Sequence, residues 1–293
     1  MPSNSPTNER NDLGNMGTLF VVATPIGNKA DITLRALAVL REVDLIAAED
    51  TRKTRRFLAS HDVKSSLISY HEHNEARRTP QLIQKLKSGQ EIALVSNAGT
   101  PSVSDPGYRL IETAIAQQIS VVPVPGVSAA TTALSVAGLP TDTFVFAGFL
   151  SKKKGKRTRQ LDELALERRT IIFYESPKRL LVLLQDIIDS MGDRQGVLAR
   201  EMTKLHEEFM RGQLSQLLNT LKNRSEIKGE CTLLVAGKKT KQSISWEQMQ
   251  SEIRAALKLN TGKVSEIARQ LSKTYQFSRK KIYEEALRIR GQK

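Results

Sequence analysis

The chain has 293 residues, 39% of them hydrophobic, and a net charge of +14, which is enough for two ordinary globular domains with packed cores. No run of about 18 apolar residues occurs, so no membrane-spanning helix is expected. Cys231 is the single cysteine, which excludes an intrachain disulfide and leaves no zinc-type Cys/His cluster.

Residues 1–16 are polar and lack the apolar stretch of a secretory signal. They read as a disordered tail, and a cytoplasmic protein is expected. The 18–23 segment (TLFVVA) reads as a buried strand ending in a tight loop, TPIGN. Leu34, Leu37 and Ala38 begin a helical pattern running to about Arg41. Residues 44–48 read as a second strand, followed by a basic helix from Arg52. Helices at 80–88 and 108–117 flank a strand at 92–96 and the loop NAGTPSVSDPG, and a strand at 121–124 ends in PGVSA. This alternation predicts a largely parallel α/β sheet, with ligands bound beyond the C-terminal ends of its strands.

A second α/β layer starts near Phe144. It comprises a basic loop (SKKKGKRTR, 151–159), strands at 170–176, 196–200 and 230–236, and helices at 177–190 and 213–223. After Gly237 the composition changes to KKTKQS, a linker, and helices follow at 246–258 and 263–290. Val264, Ile267, Ala268 and Leu271 form one apolar face, and Ser278 is placed to cap a last helix carrying Ile282, Ala286 and Ile289. Two short helices joined by a turn resemble a helix-turn-helix. The expected organisation is a tail (1–16), an N-terminal α/β domain (17–140), a second α/β domain (141–238) and a basic helical domain (239–293).

Charge is distributed unevenly. Residues 1–150 carry 14 Lys/Arg and 14 Asp/Glu, residues 151–237 carry 17 and 12, and residues 238–293 carry 14 and 5. All the excess positive charge is in the second half. A nucleic-acid partner accounts for this, because Lys and Arg neutralise phosphates and release counterions; a solvated basic surface gives the same tally.

Neither GxGxxG nor GxxxxGK[ST] occurs, nor HExxH, nor an EF-hand loop, and the four histidines have no metal-ligand spacing. No metal is called for. The informative loops are ATPIGN (23–28), SNAGTPSVSDPG (96–107) and PGVSA (125–129), each following a predicted strand. Their small residues let backbone approach a ligand closely. Three such loops at one sheet edge suit a cofactor with an adenine, a ribose and an amino-acid end. FYESPKR (173–179) and AREMTKLHEEFMRG (199–212) concentrate Glu175, Lys178, Arg179, Arg200, Glu201 and Lys204 at strand ends of the second layer. Activating a hydroxyl requires a base or an electrostatic stabiliser. Glu175, Glu201 and Lys204 are the candidate catalytic residues, and nothing in the sequence chooses among them.

The segments VATPIGNKADITLRAL, AAEDTRKTRRFL, HEHNE, SNAGTPSVSDPGYRL, PVPGVSAATTAL, FAGFL, FYESPKRL, LAREMTKLHEEFMRG and KGECTLLVAG resemble, in order and spacing, the ribosomal RNA small subunit methyltransferase I family of the tetrapyrrole methylase superfamily. The resemblance spans about residues 17–237, and the basic C-terminal segment is similar to the family's small helical domain. It implies a two-domain tetrapyrrole-methylase-like α/β fold binding S-adenosylmethionine between the domains, usually as a homodimer. The implied reaction is 2′-O-methylation of a cytidine in the decoding region of 16S rRNA in the small ribosomal subunit. It further implies that the cofactor meets Pro25, Asn97, Ala98, Gly99, Thr100, Pro101, Val103, Ser128, Ala129, Tyr174, Gly229, Glu230 and Cys231. The family usually has Asp where this chain has Asn97, which keeps an acceptor oxygen and loses the charge. RNA phosphates are expected on Lys152, Lys153, Lys154, Lys156, Arg157 and Arg159 and on the C-terminal domain. Two other functions compete: a methylase of a small tetrapyrrole, which has no use for the basic surface, and a non-enzymatic nucleic-acid-binding protein, which leaves the three loops unexplained.

Overall fold

Five short apolar runs pair side by side into a first sheet: β1 (Leu19–Val22), β2 (Leu45–Ala48), β3 (Leu67–Ser69), β4 (Ile92–Val95) and β5 (Val121–Val124). The computed structural model describes residues 16–238, 244–259 and 263–291. The strand order is β3-β2-β4-β1-β5 and every pairing is parallel. All four residues of β4 are buried, as expected for a central strand covered on both faces. One face packs Leu19, Ile92 and Leu94 against α3 (Glu75–Lys87) and α4 (Tyr108–Ala116). The other packs Val22, Ile46 and Val95 against α1 (Leu34–Glu42) and α2 (Thr51–Ala59). Side chains fix where these helices begin: Thr33 accepts from the N–H of Ala36, and Asp50 from those of Arg52 and Lys53.

The second sheet contains β6 (Phe144–Phe149), β7 (Thr170–Glu175), β8 (Gln195–Arg200), β9 (Glu208–Gln213) and β10 (Cys231–Val235), in the order β6-β7-β10-β8-β9. Only β6 and β7 run parallel; the other pairings are antiparallel. One face is covered by α6 (Lys154–Leu164), α7 (Pro177–Met191) and α8 (Leu214–Lys222) through Leu161, Leu183, Ile187, Leu214 and Leu218. The other receives α5 (Ala129–Ala137), a helix of small residues whose Ala130, Ala133, Leu134 and Ala137 pack on Ile172, Val197 and Leu234. Ala side chains let this helix lie close to the sheet. Because α5 follows β5 directly, it ties the two sheets into one unit, which ends at Ala236.

The expected α/β class and its first, parallel sheet are what the structure has. Four elements are not foreseen from the sequence: β3, β6, β9 and α5. The stretch 151–159 is also not a loop, since α6 starts at Lys154. Arg157 is buried at 6% exposure and ion-paired with Asp186 at 2.6 Å. It is therefore withdrawn from the expected RNA surface, whereas Lys152, Lys153, Lys154, Lys156 and Arg159 are exposed.

The C-terminal unit consists of α9 (Trp246–Leu259), α10 (Val264–Thr274) and α11 (Arg279–Gly291) around Met249, Ile253, Val264, Ala268, Ile282 and Ala286. Ser278 caps α11 by accepting from the N–H of Lys281, and the Lys281 ammonium lies 4.1 Å from the Trp246 ring centroid. The expected tail lies outside the described residues except for Met16, as does the KKTKQS linker except for Lys238. Among the described residues no helix is long and apolar enough to cross a membrane, and no three His, Cys, Asp or Glu residues cluster as metal ligands.

Candidate active site

The loops after β1 and β4 leave neighbouring strands at their C-terminal ends and are joined by a two-way backbone pairing. The Thr24 N–H donates to the Gly99 carbonyl (2.8 Å) and the Gly99 N–H to the Thr24 carbonyl (2.9 Å). The Thr100 hydroxyl donates to the Val127 carbonyl in the loop after β5 (3.2 Å). The β4 loop is strained, with Ser102 and Ser104 both in the left-handed region, a cost that functional loops commonly carry.

These loops and the ends of β7 and β10 enclose a cavity of about 410 Å³, in the range of small-molecule sites. Eleven of the thirteen residues assigned to the cofactor by resemblance line it: Asn97, Ala98, Gly99, Thr100 and Val103 from the β4 loop, Ser128 and Ala129 at the start of α5, Tyr174 on β7, and Gly229, Glu230 and Cys231 entering β10. Pro101 is buried away from it. Pro25 lines an adjacent chamber of about 240 Å³, which shares Ile26, Lys53, Asn97, Ala98 and Glu230 with the main cavity. At Asn97 it is the backbone N–H that is engaged, donating to Glu49 (3.0 Å); that bond survives exchange of the Asn97 side chain for a carboxylate.

Several lining residues lie outside the expected set. Ile26, Phe149 and Met202 supply apolar wall, and Glu49, Lys53 and Asp105 supply charge. Phe149 lies edge-on to Tyr174, with centroids 5.6 Å apart, and is 53% exposed, so a ring face remains open to a ligand. Asp105 belongs to the quoted loop, but Asp-Pro-Gly reads as a turn, which hid it. Burial, augmented by repulsion from Glu49 and Glu230, pushes its carboxyl up to about 6, against a lowering hydrogen bond from Ser96. Burial also pushes the Cys231 thiol up to about 11, so Cys231 is an uncharged wall residue.

The three catalytic candidates occupy different settings. Glu175 is buried at the end of β7 and accepts from the Ser176 N–H (2.7 Å) and the Arg179 guanidinium (2.8 Å). Of the three, only Glu175 lines the main cavity. Glu201 and Lys204 form an ion pair (2.8 Å), and Lys204 also reaches Glu230 (3.0 Å). Lys204 is held protonated: burial opposes its charge, but hydrogen bonds to Glu201 and Glu230 outweigh it and raise its pKa. The Lys204 hydrogen bond lowers that of Glu201. Glu201 also accepts from the Glu230 N–H at 2.8 Å, which fixes the strand entry that lines the cavity.

Close packing at two glycines permits this clamp. A Cβ on Gly27 would lie 2.5 Å from Lys204 Cγ, and one on Gly229, where φ is +89°, would lie 2.3 Å from Glu201 Cγ. Gly229→Ala is therefore expected to cost more than about 1 kcal/mol, from backbone strain and displacement of Glu201, and to weaken cofactor binding. Thermal unfolding and calorimetry would measure both; a variant matching the parent in stability and affinity would contradict the clamp.

Residues 18–218 match the Tetrapyrrole (Corrin/Porphyrin) Methylases family. The chain is 47% identical over 236 residues to the ribosomal RNA small subunit methyltransferase I of Halalkalibacterium halodurans, covering 80% of this chain and 81% of that protein. It is 44% identical over 277 residues to that of Synechocystis, covering 94% and 99%. Among solved structures, uroporphyrin-III C-methyltransferase from Thermus thermophilus, complexed with S-adenosyl homocysteine, superposes with a TM-score of 0.53 at 17% identity, covering 75% of this chain and 97% of that one. The methylase fold is thus shared widely and the sequence of one branch closely: the chain belongs to the ribosomal RNA small subunit methyltransferase I family, within the tetrapyrrole methylases.

Proposed function

We propose that the protein transfers the methyl group of S-adenosylmethionine to the ribose 2′-oxygen of a cytidine in the decoding region of 16S rRNA. It would act on the small ribosomal subunit as a cytoplasmic homodimer. Methylation of ribosomal RNA with this cofactor is the family's activity; the nucleotide, its oxygen and the dimer follow from the sequence resemblance. The observation that carries the reading is the convergence of the three small-residue loops and the β10 entry on one cavity.

The cavity suits the cofactor. Ala98, Gly99 and Ala129 allow close approach, the first turn of α5 has backbone N–H groups without an intrahelical partner, and Phe149 and Tyr174 give aromatic wall for an adenine. Glu49 and Glu230 complement a positively charged sulfonium. When bound, S-adenosylmethionine supplies an electrophilic methyl group. Asp105 is the carboxylate poised to take the hydroxyl proton, because a base works best with a pKa near the working pH. Glu201 and Lys204, tied to each other, position the Gly229–Cys231 segment, and Glu175 orders the end of β7 through Arg179.

RNA is held by Lys152, Lys153, Lys154, Lys156 and Arg159 together with the basic C-terminal unit. The lysines crowd the N-terminal end of α6, where the helix dipole disfavours cations. Helix stability does not explain them there, and phosphate binding does.

Incubating small ribosomal subunits with labelled cofactor and mapping the modified nucleotide tests the proposal. A single 2′-O-methylated cytidine in 16S rRNA is expected; label on a base, or none in rRNA, would overturn it.

A further inference from the structure

The chamber beside the main cavity has a composition that cofactor binding does not account for. Lys29, in the turn after the β1 loop, and Lys53 and Phe57, on α2, line it together with Lys204 and Glu230. Lys53 and Phe57 are four residues apart and so share one helix face. Lys204 is already neutralised by Glu201 and Glu230. Among the described residues neither Lys29 nor Lys53 is in an ion pair. Arg55 and Arg56 continue the positive charge along the exposed part of α2. Two free ammonium groups beside an aromatic ring are the means by which proteins hold single-stranded nucleic acid: cations track the backbone and a base stacks on the ring.

We propose that this chamber is the subsite for a splayed-out RNA nucleotide, with its base against Phe57 and its phosphate between Lys29 and Lys53. The ribose then reaches the main cavity across the shared wall of Ile26, Asn97 and Ala98. The net charge of residues 1–150 conceals the site, because acids elsewhere cancel the tally while the TRKTRR stretch (51–56) carries four cations and no acid. The inference rests on the RNA reading above and adds a contact within the first sheet's own loops.

The test uses Lys29→Ala and Phe57→Leu, neither of which lines the main cavity, with Phe57→Tyr as the ring-preserving control. Binding of small ribosomal subunits is measured across a salt series, and cofactor binding by calorimetry. Lys29→Ala is expected to reduce the slope of log affinity against log salt by about one. Phe57→Leu is expected to weaken subunit binding about tenfold without changing the slope, and Phe57→Tyr to restore it. Cofactor affinity should match the parent in all three. Unchanged subunit binding in Lys29→Ala and Phe57→Leu would overturn the subsite, and so would a parallel loss of cofactor affinity, which would assign the chamber to the cofactor. A wild-type enzyme that leaves no label in rRNA defeats the proposed reaction by itself, whereas these binding measurements need no turnover.

Discussion

Asp105→Asn is expected to lower kcat by about 10²–10⁴-fold, the range that a positioned general base supplies, with little change in cofactor affinity. The substitution is nearly isosteric and keeps an acceptor oxygen, so the loop should hold its shape. In the parent, kcat/KM should rise with pH through about 6, the value to which burial and the neighbouring Glu49 and Glu230 push this carboxyl. The variant should lose that limb. Stability should move the other way. The folded protein holds the Asp105 proton more tightly than the unfolded chain, so the resulting stabilisation is complete below about pH 4 and is lost as pH rises to about 6. The uncharged Asn escapes this loss. Asp105→Asn should therefore unfold at a higher temperature than the parent at pH 8, with the gap closing at pH 4, an exchange of stability for activity common at catalytic sites. Unchanged kcat, or a retained pH limb near 6, would remove Asp105 from the mechanism.

The first sheet was legible because its strands are short apolar runs punctuated by loops of Gly, Pro and Ser, the pattern that parallel sheets produce. What escaped had physical reasons. β9 (EFMRGQ) is an edge strand whose charges protect it from pairing with other chains, and those same charges make it read as loop. β3 is three residues long, too short for a period. α5 (AATTALSVA) has small side chains on every face, so its periodicity is weak even though its packing joins the two sheets. The antiparallel insertion of β10 between β7 and β8 is a matter of topology, which local pattern does not encode. For the site, the three small-residue loops supply ten of the twenty-two residues that line the cavity, but ranking the charged residues required burial and partners. Glu201 and Lys204 are prominent in sequence and neutralise each other in space, while Asp105 sits in a turn motif and the burial that raises its pKa appears only in the fold.

Arg157 gives the second large effect. In SKKKGKRTR it is one cation among six, yet its guanidinium is buried, bonding to Asp186 (2.6 Å) and to the carbonyls of Ser151 and Lys152 (both 3.2 Å). Removing it leaves the Asp186 carboxylate, whose side chain is 13% exposed, without its partner. Breaking a buried pair in this way costs about 3–5 kcal/mol. Arg157→Ala should be destabilised by that amount in denaturant unfolding, and Arg157→Lys should recover only part of it, since an ammonium lacks the planar fork of donors. Replacing both partners, as in Arg157→Met with Asp186→Leu, should restore most of the stability, because no buried charge then remains unpaired. Lys156→Ala, one residue away, should stay within about 0.5 kcal/mol of the parent and instead flatten the salt dependence of subunit binding by about one unit. Were Arg157→Ala to flatten that dependence at unchanged stability, its side chain would have to contact phosphate, and the pairing with Asp186 would not describe the protein in solution. The expected division is that Arg157 anchors the 151–153 turn from inside, and the exposed lysines around it meet the RNA.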